Sequence, residues 1–471
     1  MILSNISRNI LNQIISFGTR SVSEIIIIVL IARFANVENL GLYSFAISFS
    51  LIARLILDMG IGMYLVREIS KHKEKVKKYV GNTLSIFLLL SPLVYIFSAL
   101  IIYYTVDDNT KILAVLLTLS GFILVSFASI FHSVFLAYSK LEFQSYSIIA
   151  QEFIFITSSC IILIYNFEFY FLFYAYAFAR SISLLISVFL YNSYIENLSL
   201  SFDYFFIKKI LKECMPFFLN FILTAIYARG VIVFISYYLG DYSTGLFEVA
   251  FLISMKGVIC IQIISKSIFP KLSEMHKIGN KIVFSSLTKN ILKVSYSISF
   301  ILFVLIFFGC EILIEIFFDY DSYSQSIDLV KVLCFALFFK IFASVITDLL
   351  TSSFKQELRT KAVAFGTFTS IVSLFLLVPS FDLIGAAYSV VLTELVILFF
   401  SIKYSDLFIK KLSIKLILIN AIIILIVLSI INFINIPYTA IIIVSLIIFS
   451  IISYASNSLN FRDLINIKNE I

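Results

Sequence analysis

NLGLYSFA (Asn39–Ala46) and STGLFEVA (Ser243–Ala250) are two versions of one octet, with Gly41 and Gly245 204 residues apart. Each octet opens an apolar run long enough to cross a bilayer, about 20 residues, and each run is the second in a set of six. Because six is even, the second set enters the membrane in the same orientation as the first, as in transporters built from parallel repeats about an axis along the membrane normal. In that register Arg54 falls within two residues of the counterpart of Lys256, and Arg67 aligns with Lys271. The predicted fold is all-α integral membrane. It has two parallel-repeat six-helix lobes around a central cavity plus two C-terminal helices, about 14 transmembrane helices in all.

Composition agrees with that frame. Of 471 residues 61% are hydrophobic and 13% charged, and the mean hydropathy is +1.06; soluble domains carry about 25% charged residues. Apolar runs bounded by charge or turn residues fall at 11–32, 40–59, 80–104, 112–138, 147–165 and 169–191. After a polar break they resume at 215–239, 244–268, 291–318, 327–350, 362–378 and 383–402, and a last pair lies at 416–433 and 436–454. The expected division is an N-lobe at 1–205, a C-lobe at 206–404 and a closing pair within 405–471.

Charge tests the span count independently, because cytoplasmic connectors carry the Lys/Arg excess. Connectors on one side hold 26 of the 35 Lys/Arg, whereas the other side holds Arg33, Lys111 and Lys331 beside acids such as Asp107, Asp108, Asp241 and Asp319. Both termini are therefore expected in the cytoplasm. The formal net charge of +7 reflects this orientation and gives no reason to expect nucleic acid as a partner. The first run is followed by no compact small-residue cleavage site, so it is expected to remain as an anchor.

Six bases fall near mid-span: Arg20, Arg54, Arg180, Arg229, Lys256 and Lys340. One charge at the bilayer centre costs about 2.5–3.5 kcal/mol, so six facing lipid would cost roughly 15–21 kcal/mol, above the ~5–15 kcal/mol stability of a typical fold. They must face a wet or paired interior. Fixed cations there can replace the hydration that anionic oxygens lose, and arginine forks match phosphate. Arg20 and Arg54 are the foremost substrate-binding candidates, then Lys256 and Arg229, then Arg180 and Lys340. The plainer reading is pairing with intramembrane acids: Glu24 follows Arg20 by four residues and Asp58 follows Arg54 by four, which puts each pair on one helical face. Six such bases weigh against a wholly structural role. Glu24, Asp58 and Glu394 are the ion-coupling candidates, Glu394 because its own span has no base within a turn; a hydrogen-bonded core carboxyl is the equal alternative there.

The run with a polar first span, then NVENLGLYSFA, then LILDMGIGMYLVREIS resembles the polysaccharide repeat-unit flippases, the Wzx type, of the multidrug/oligosaccharidyl-lipid/polysaccharide exporter superfamily. The resemblance spans the whole chain in its six-plus-six-plus-two layout, with sequence hallmarks concentrated at 36–70 and echoed at 241–274. It implies alternating access and transport of a polyprenyl-diphosphate-linked glycan to the outer leaflet of the bacterial cytoplasmic membrane, the tail staying among membrane lipids. A polysaccharide polymerase and a chain-length regulator are the partners it suggests. The related lipid II flippases carry basic residues in their first, second and eighth helices, where Arg20, Arg54 and Lys256 stand here. Lysine in the eighth departs from that pattern, and it lacks the bidentate fork of arginine.

Other chemistries find little support. Five scattered cysteines, Cys160, Cys214, Cys260, Cys310 and Cys334, have no metal or redox spacing, and His72, His132 and His276 lie apart. No cofactor or metal is expected, and neither a phosphate-binding loop nor a nucleophile elbow occurs. An exporter of cationic drugs would favour an acidic interior. A membrane polysaccharide polymerase would be expected to carry a large outer loop, and the outer connectors here are short. Basic stretches at 63–78 (MYLVREISKHKEKVKK) and 270–281 (PKLSEMHKIGNK) fit either surface helices facing anionic headgroups or simple topology control.

Overall fold

The structure is a computed structural model that describes the backbone of residues 2–433 and 438–455. The elements in chain order are α1 (Ile2–Phe34), α2 (Val37–Asp58), α3 (Ile61–Lys71), α4 (Val76–Thr105), α5 (Asn109–Ala137), α6 (Leu141–Ile164), α7 (Phe171–Tyr194) and α8 (Tyr204–Tyr238). They continue as α9 (Gly240–Met255), α10 (Val258–Ile278), α11 (Lys281–Phe317), α12 (Tyr320–Tyr323), α13 (Ser326–Ser352), α14 (Gln356–Tyr404), α15 (Leu407–Phe433) and α16 (Tyr438–Ala455). No strand occurs among the described residues. Hydrocarbon offers backbone amides no partner, so an apolar run this long closes its hydrogen bonds within itself. Where helices start at a polar edge, short side chains cap them: Asn36 accepts from Asn39 N–H, Asp108 from Thr110, Asp203 from Phe206 and Asn280 from Val283, each satisfying an amide that the first turn leaves open.

The protein is thus an all-α, multi-pass membrane protein. Ten of the described helical segments are long and apolar enough to span, or 11 if α9 and α10, bent by 43°, form one span. Runs 362–378 and 383–402 lie in one element, α14, which is interrupted at Asp382, where φ is 49° and ψ is −135°. The start of run 436–454, and everything expected beyond 455, lie outside the described residues.

Two compact units divide the chain, Met1–Gly245 and Leu246–Ile471. In the first, α5 packs on α2, α4 and α7, and α6 packs on α1 and α7. Its core includes Leu57, Tyr64, Leu65, Phe87, Phe131, Val134 and Phe135. In the second, α13 is the central element, packed on α10, α11 and α14; Val330, Leu333, Leu337, Ile341, Val345 and Ile346 are fully enclosed there.

Gly41 and Gly245, the equivalent glycines of the two octets, lie at one crossing within the first unit. A Cβ on Gly41 would lie 1.8 Å from the carbonyl oxygen of Asp241, and one on Gly245 would lie 2.1 Å from that of Val37. Val37 precedes Gly41 by four residues as Asp241 precedes Gly245, so the first turns of α2 and α9 cross reciprocally, backbone against backbone. Beside this crossing the buried Lys111 donates to Asp241 Oδ1 and Ser236 Oγ, both at 2.6 Å. Its ammonium also stands 4.3 Å from the Phe45 ring centroid.

Candidate functional site

A cavity of about 320 Å³ lies inside the first unit, walled by residues of α1, α2, α3, α5, α6 and α8. Its shape begins with the end of α2. Met59 (φ 43°) and Gly60 (φ 74°) both adopt left-handed backbone, which glycine takes at no steric cost and methionine at roughly 1–2 kcal/mol. This turn stops α2 at Asp58 and redirects the chain into α3, whose Ile61, Tyr64, Leu65 and Ile69 are buried while Met63 and Val66 line the cavity. Its polar lining is Arg20, Arg54, Asp58, Ser129, His132, Ser133 and Gln144, and its apolar lining includes Leu55, Val125, Leu136 and Phe221.

Arg54 is held from two sides. Its Nε lies 2.8 Å from Asp58 Oδ2 and donates to Ser126 Oγ at 3.0 Å, and its guanidinium stands 5.9 Å from the Phe122 ring centroid. Arg20 differs. Its side chain is exposed to the cavity, Arg180, Arg54 and, with opposite sign, Glu152 are its electrostatic neighbours, and among the described residues no carboxylate is ion-paired with it. Glu24, one turn along α1, instead accepts from Arg229 Nη2 of α8 at 3.1 Å.

Arg180 is buried and donates to Glu152 Oε1 at 2.7 Å, with its guanidinium 4.5 Å from the Tyr176 centroid. Gln151 donates to the same oxygen at 2.8 Å. The second unit holds the remaining candidates. Lys340 of α13 donates to the buried Glu394 of α14, so the base that Glu394 lacks in its own span comes from another helix. Lys256 is half-buried at the bend between α9 and α10. Arg20 and Arg54 therefore share one cavity, Arg229 with Glu24 and Arg180 with Glu152 form separate pairs in the same unit, and Lys256, Lys340 and Glu394 belong to the other.

Sequence reasoning passed over the polar face of α5. Ser126, Ser129 and Ser133 recur at three- and four-residue spacing on a largely apolar span, which puts them on one face. That stripe was available as a signal. His132 beside it has its Nε2 at 2.8 Å from Ser147 Oγ and 3.2 Å from Ser187 Oγ. No group of three or more potential metal ligands occurs among the described residues. A cavity with one guanidinium that is ion-paired to no carboxylate among the described residues, a second beside it shared with a carboxylate, and hydroxyls and an amide around them can accept an anion through charge-assisted hydrogen bonds.

The sequence profile of the family described as polysaccharide biosynthesis protein matches residues 2–276. The chain belongs to that family. A curated relative, the capsular polysaccharide biosynthesis protein CapF of Staphylococcus aureus, is 25% identical over 159 residues, a match spanning 34% of this chain and 40% of that protein. Among solved structures, the lipid II flippase MurJ in an inward closed conformation superposes with a TM-score of 0.72 at 18% identity, covering 97% of this chain and 100% of that one. An inward-facing multidrug resistance transporter of the MATE family, in the MOP superfamily, gives 0.68 at 14% identity over 82% and 95%. A MOP superfamily transporter from Pyrococcus furiosus, described as having a binding pocket of reverse polarity, gives 0.60 at 14% over 84% and 94%. At these identities the likeness is one of fold, and the fold is that of the MOP superfamily.

Proposed function

We propose that this family member flips polyprenyl-diphosphate-linked oligosaccharide repeat units from the cytoplasmic to the outer leaflet of the bacterial cytoplasmic membrane by alternating access. The finer architecture that goes with it is fourteen spans in two six-helix lobes, 1–205 and 206–404, and a closing pair in 405–471, with both termini cytoplasmic. The observation that carries the reading is Arg20: an accessible guanidinium without a carboxylate partner among the described residues, on the wall of a cavity it shares with Arg54. A diphosphate is the anion such a pair suits, because its oxygens can accept from both forks. Lys256 is assigned to the same headgroup, and Arg229, Arg180 and Lys340 to the glycan route.

Release then has a simple chemical basis. Asp58 competes with phosphate for Arg54, so whatever favours the Arg54–Asp58 pair favours departure of the headgroup. Glu24 and Glu394, each bonded to a base, are the other acids at which an ion or proton would act. A deletion strain tests the substrate. Lipid-linked repeat units should accumulate on the cytoplasmic leaflet and the surface polymer should disappear; normal polymer, with no redundant flippase, would sink the assignment. A second reading, export of another anionic lipid-linked substrate, draws on the same guanidinium, and loss of a different envelope polymer would favour it.

A further inference from the structure

The connector between α7 and α8 has its polarity turned inside out. From Leu198 to Phe202 exposure alternates residue by residue: Ser199 and Ser201 are half-buried, while Leu198, Leu200 and Phe202 are 41%, 62% and 65% exposed. Ser201 and the Asp203 that follows are tied to the start of α4. Asn82 Nδ2 donates to Ser201 Oγ at 2.9 Å, Ser85 Oγ to Ser201 O at 2.8 Å, Asp203 N–H to Asn82 Oδ1 at 2.7 Å, and Lys78 Nζ to Asp203 Oδ2 at 2.9 Å. Gly81 makes room, since a Cβ there would stand 2.5 Å from Ser201 Oγ and 2.6 Å from Ser199 O. The connector is thus held in a groove with its apolar edge outward.

What lies beyond that edge is set by two neighbours. Along α4, Leu88, Leu89 and Leu93 are 50%, 58% and 62% exposed; they begin roughly 5–10 Å past the level of the strap at 1.5 Å per residue. The apolar edge is therefore continuous with a lipid-facing surface. Tyr204 and Phe205 extend it at 61% and 82% exposure, and the next turn of α8 presents the exposed Lys208, Lys209 and Lys212. Apolar and aromatic residues followed at once by lysines match the boundary between acyl chains and anionic headgroups. We infer that residues 195–203 form a bilayer-interface strap, its apolar edge seated at the headgroup–acyl boundary and Lys208, Lys209 and Lys212 binding anionic phospholipid headgroups.

The chain contains no Trp, so Phe202→Trp introduces a single indole at the strap. The full-length variant is reconstituted in vesicles of phosphatidylcholine and phosphatidylglycerol. The expected emission is blue-shifted, more strongly quenched by lipids brominated near the glycerol end of the acyl chain than by aqueous iodide. It is also more strongly quenched by headgroup-labelled phosphatidylglycerol than by labelled phosphatidylcholine. Lys208→Gln/Lys209→Gln/Lys212→Gln should abolish the headgroup preference and leave acyl quenching intact. Quenching by iodide alone would place the edge in water, and blue emission that no lipid quenches would mean another protein surface covers it; either overturns the strap. Equal quenching by the two headgroups overturns the anionic part. Leu200→Trp gives the same readout if Phe202→Trp does not fold, and none of these outcomes bears on the flippase reading.

Discussion

Arg180 and Arg20 share a chemistry and differ in what answers their charge. Arg180 is buried against Glu152 and Tyr176, so removing its counter-ion leaves a guanidinium without compensation, which costs about 3–5 kcal/mol. Glu152→Gln should lower the thermal stability of the detergent-solubilised protein by that amount. Arg20→Gln, at an exposed side chain with no carboxylate partner among the described residues, should change stability by under about 0.5 kcal/mol and yet stop transport. A melting curve for each variant checks the contrast. The sequence made the bases visible but not their partners. Asp58 was legible because it lies one turn from Arg54 on the same helix. Glu152 for Arg180, Glu394 for Lys340 and Arg229 for Glu24 come from different helices, 28, 54 and 205 residues away, and no helical spacing encodes them.

At the scale of elements, the reciprocal crossing of α2 and α9 leaves no room for a methyl group at Gly41 or Gly245. Gly41→Ala forces a methyl into the Asp241 carbonyl and should cost about 1–3 kcal/mol. Gly18→Ala meets no atom within 4 Å, so only helix propensity acts and the change should be neutral or stabilising by up to ~1 kcal/mol. Paired melting curves decide between these. A different test reaches the strap and the start of α8. Lys78 and the Phe206 N–H hold the Asp203 carboxyl below the usual carboxylate range. A folded-state value lowered in this way adds stability above the unfolded value and loses it as pH falls through the folded one. Asp203→Asn keeps the helix cap but no longer titrates, so its melting temperature should depend less steeply on pH below about pH 4 than that of the natural protein. The octet repeat was readable with a glycine in each copy, whereas the crossing and the carbonyl that each glycine meets were not. The strap was not legible at all. Its alternation of serine with leucine and phenylalanine over 198–203 has the period of a strand, and only the hydrogen bonds to α4 reveal which face is inward.

For the whole molecule, hydropathy and the Lys/Arg bias located the membrane class and the helical runs because bilayer thickness and backbone satisfaction constrain every span alike. The cavity was less accessible to that logic. Its floor depends on left-handed backbone at Met59 and Gly60 and on a serine stripe from α5, features that hydropathy averages away. That Arg20 and Arg54 bind the diphosphate of the lipid carrier inside that cavity is tested by flipping of a fluorescent polyprenyl-diphosphate oligosaccharide in proteoliposomes, comparing the natural protein with Arg20→Ala, Arg54→Ala and Arg33→Ala at matched insertion. Losing a charge-assisted contact worth about 1.5–3 kcal/mol should weaken headgroup binding by roughly 10- to 150-fold. Flipping should therefore collapse in the first two variants and persist in Arg33→Ala, whose side chain is exposed at the end of α1. Equal flipping by all three would contradict the claim.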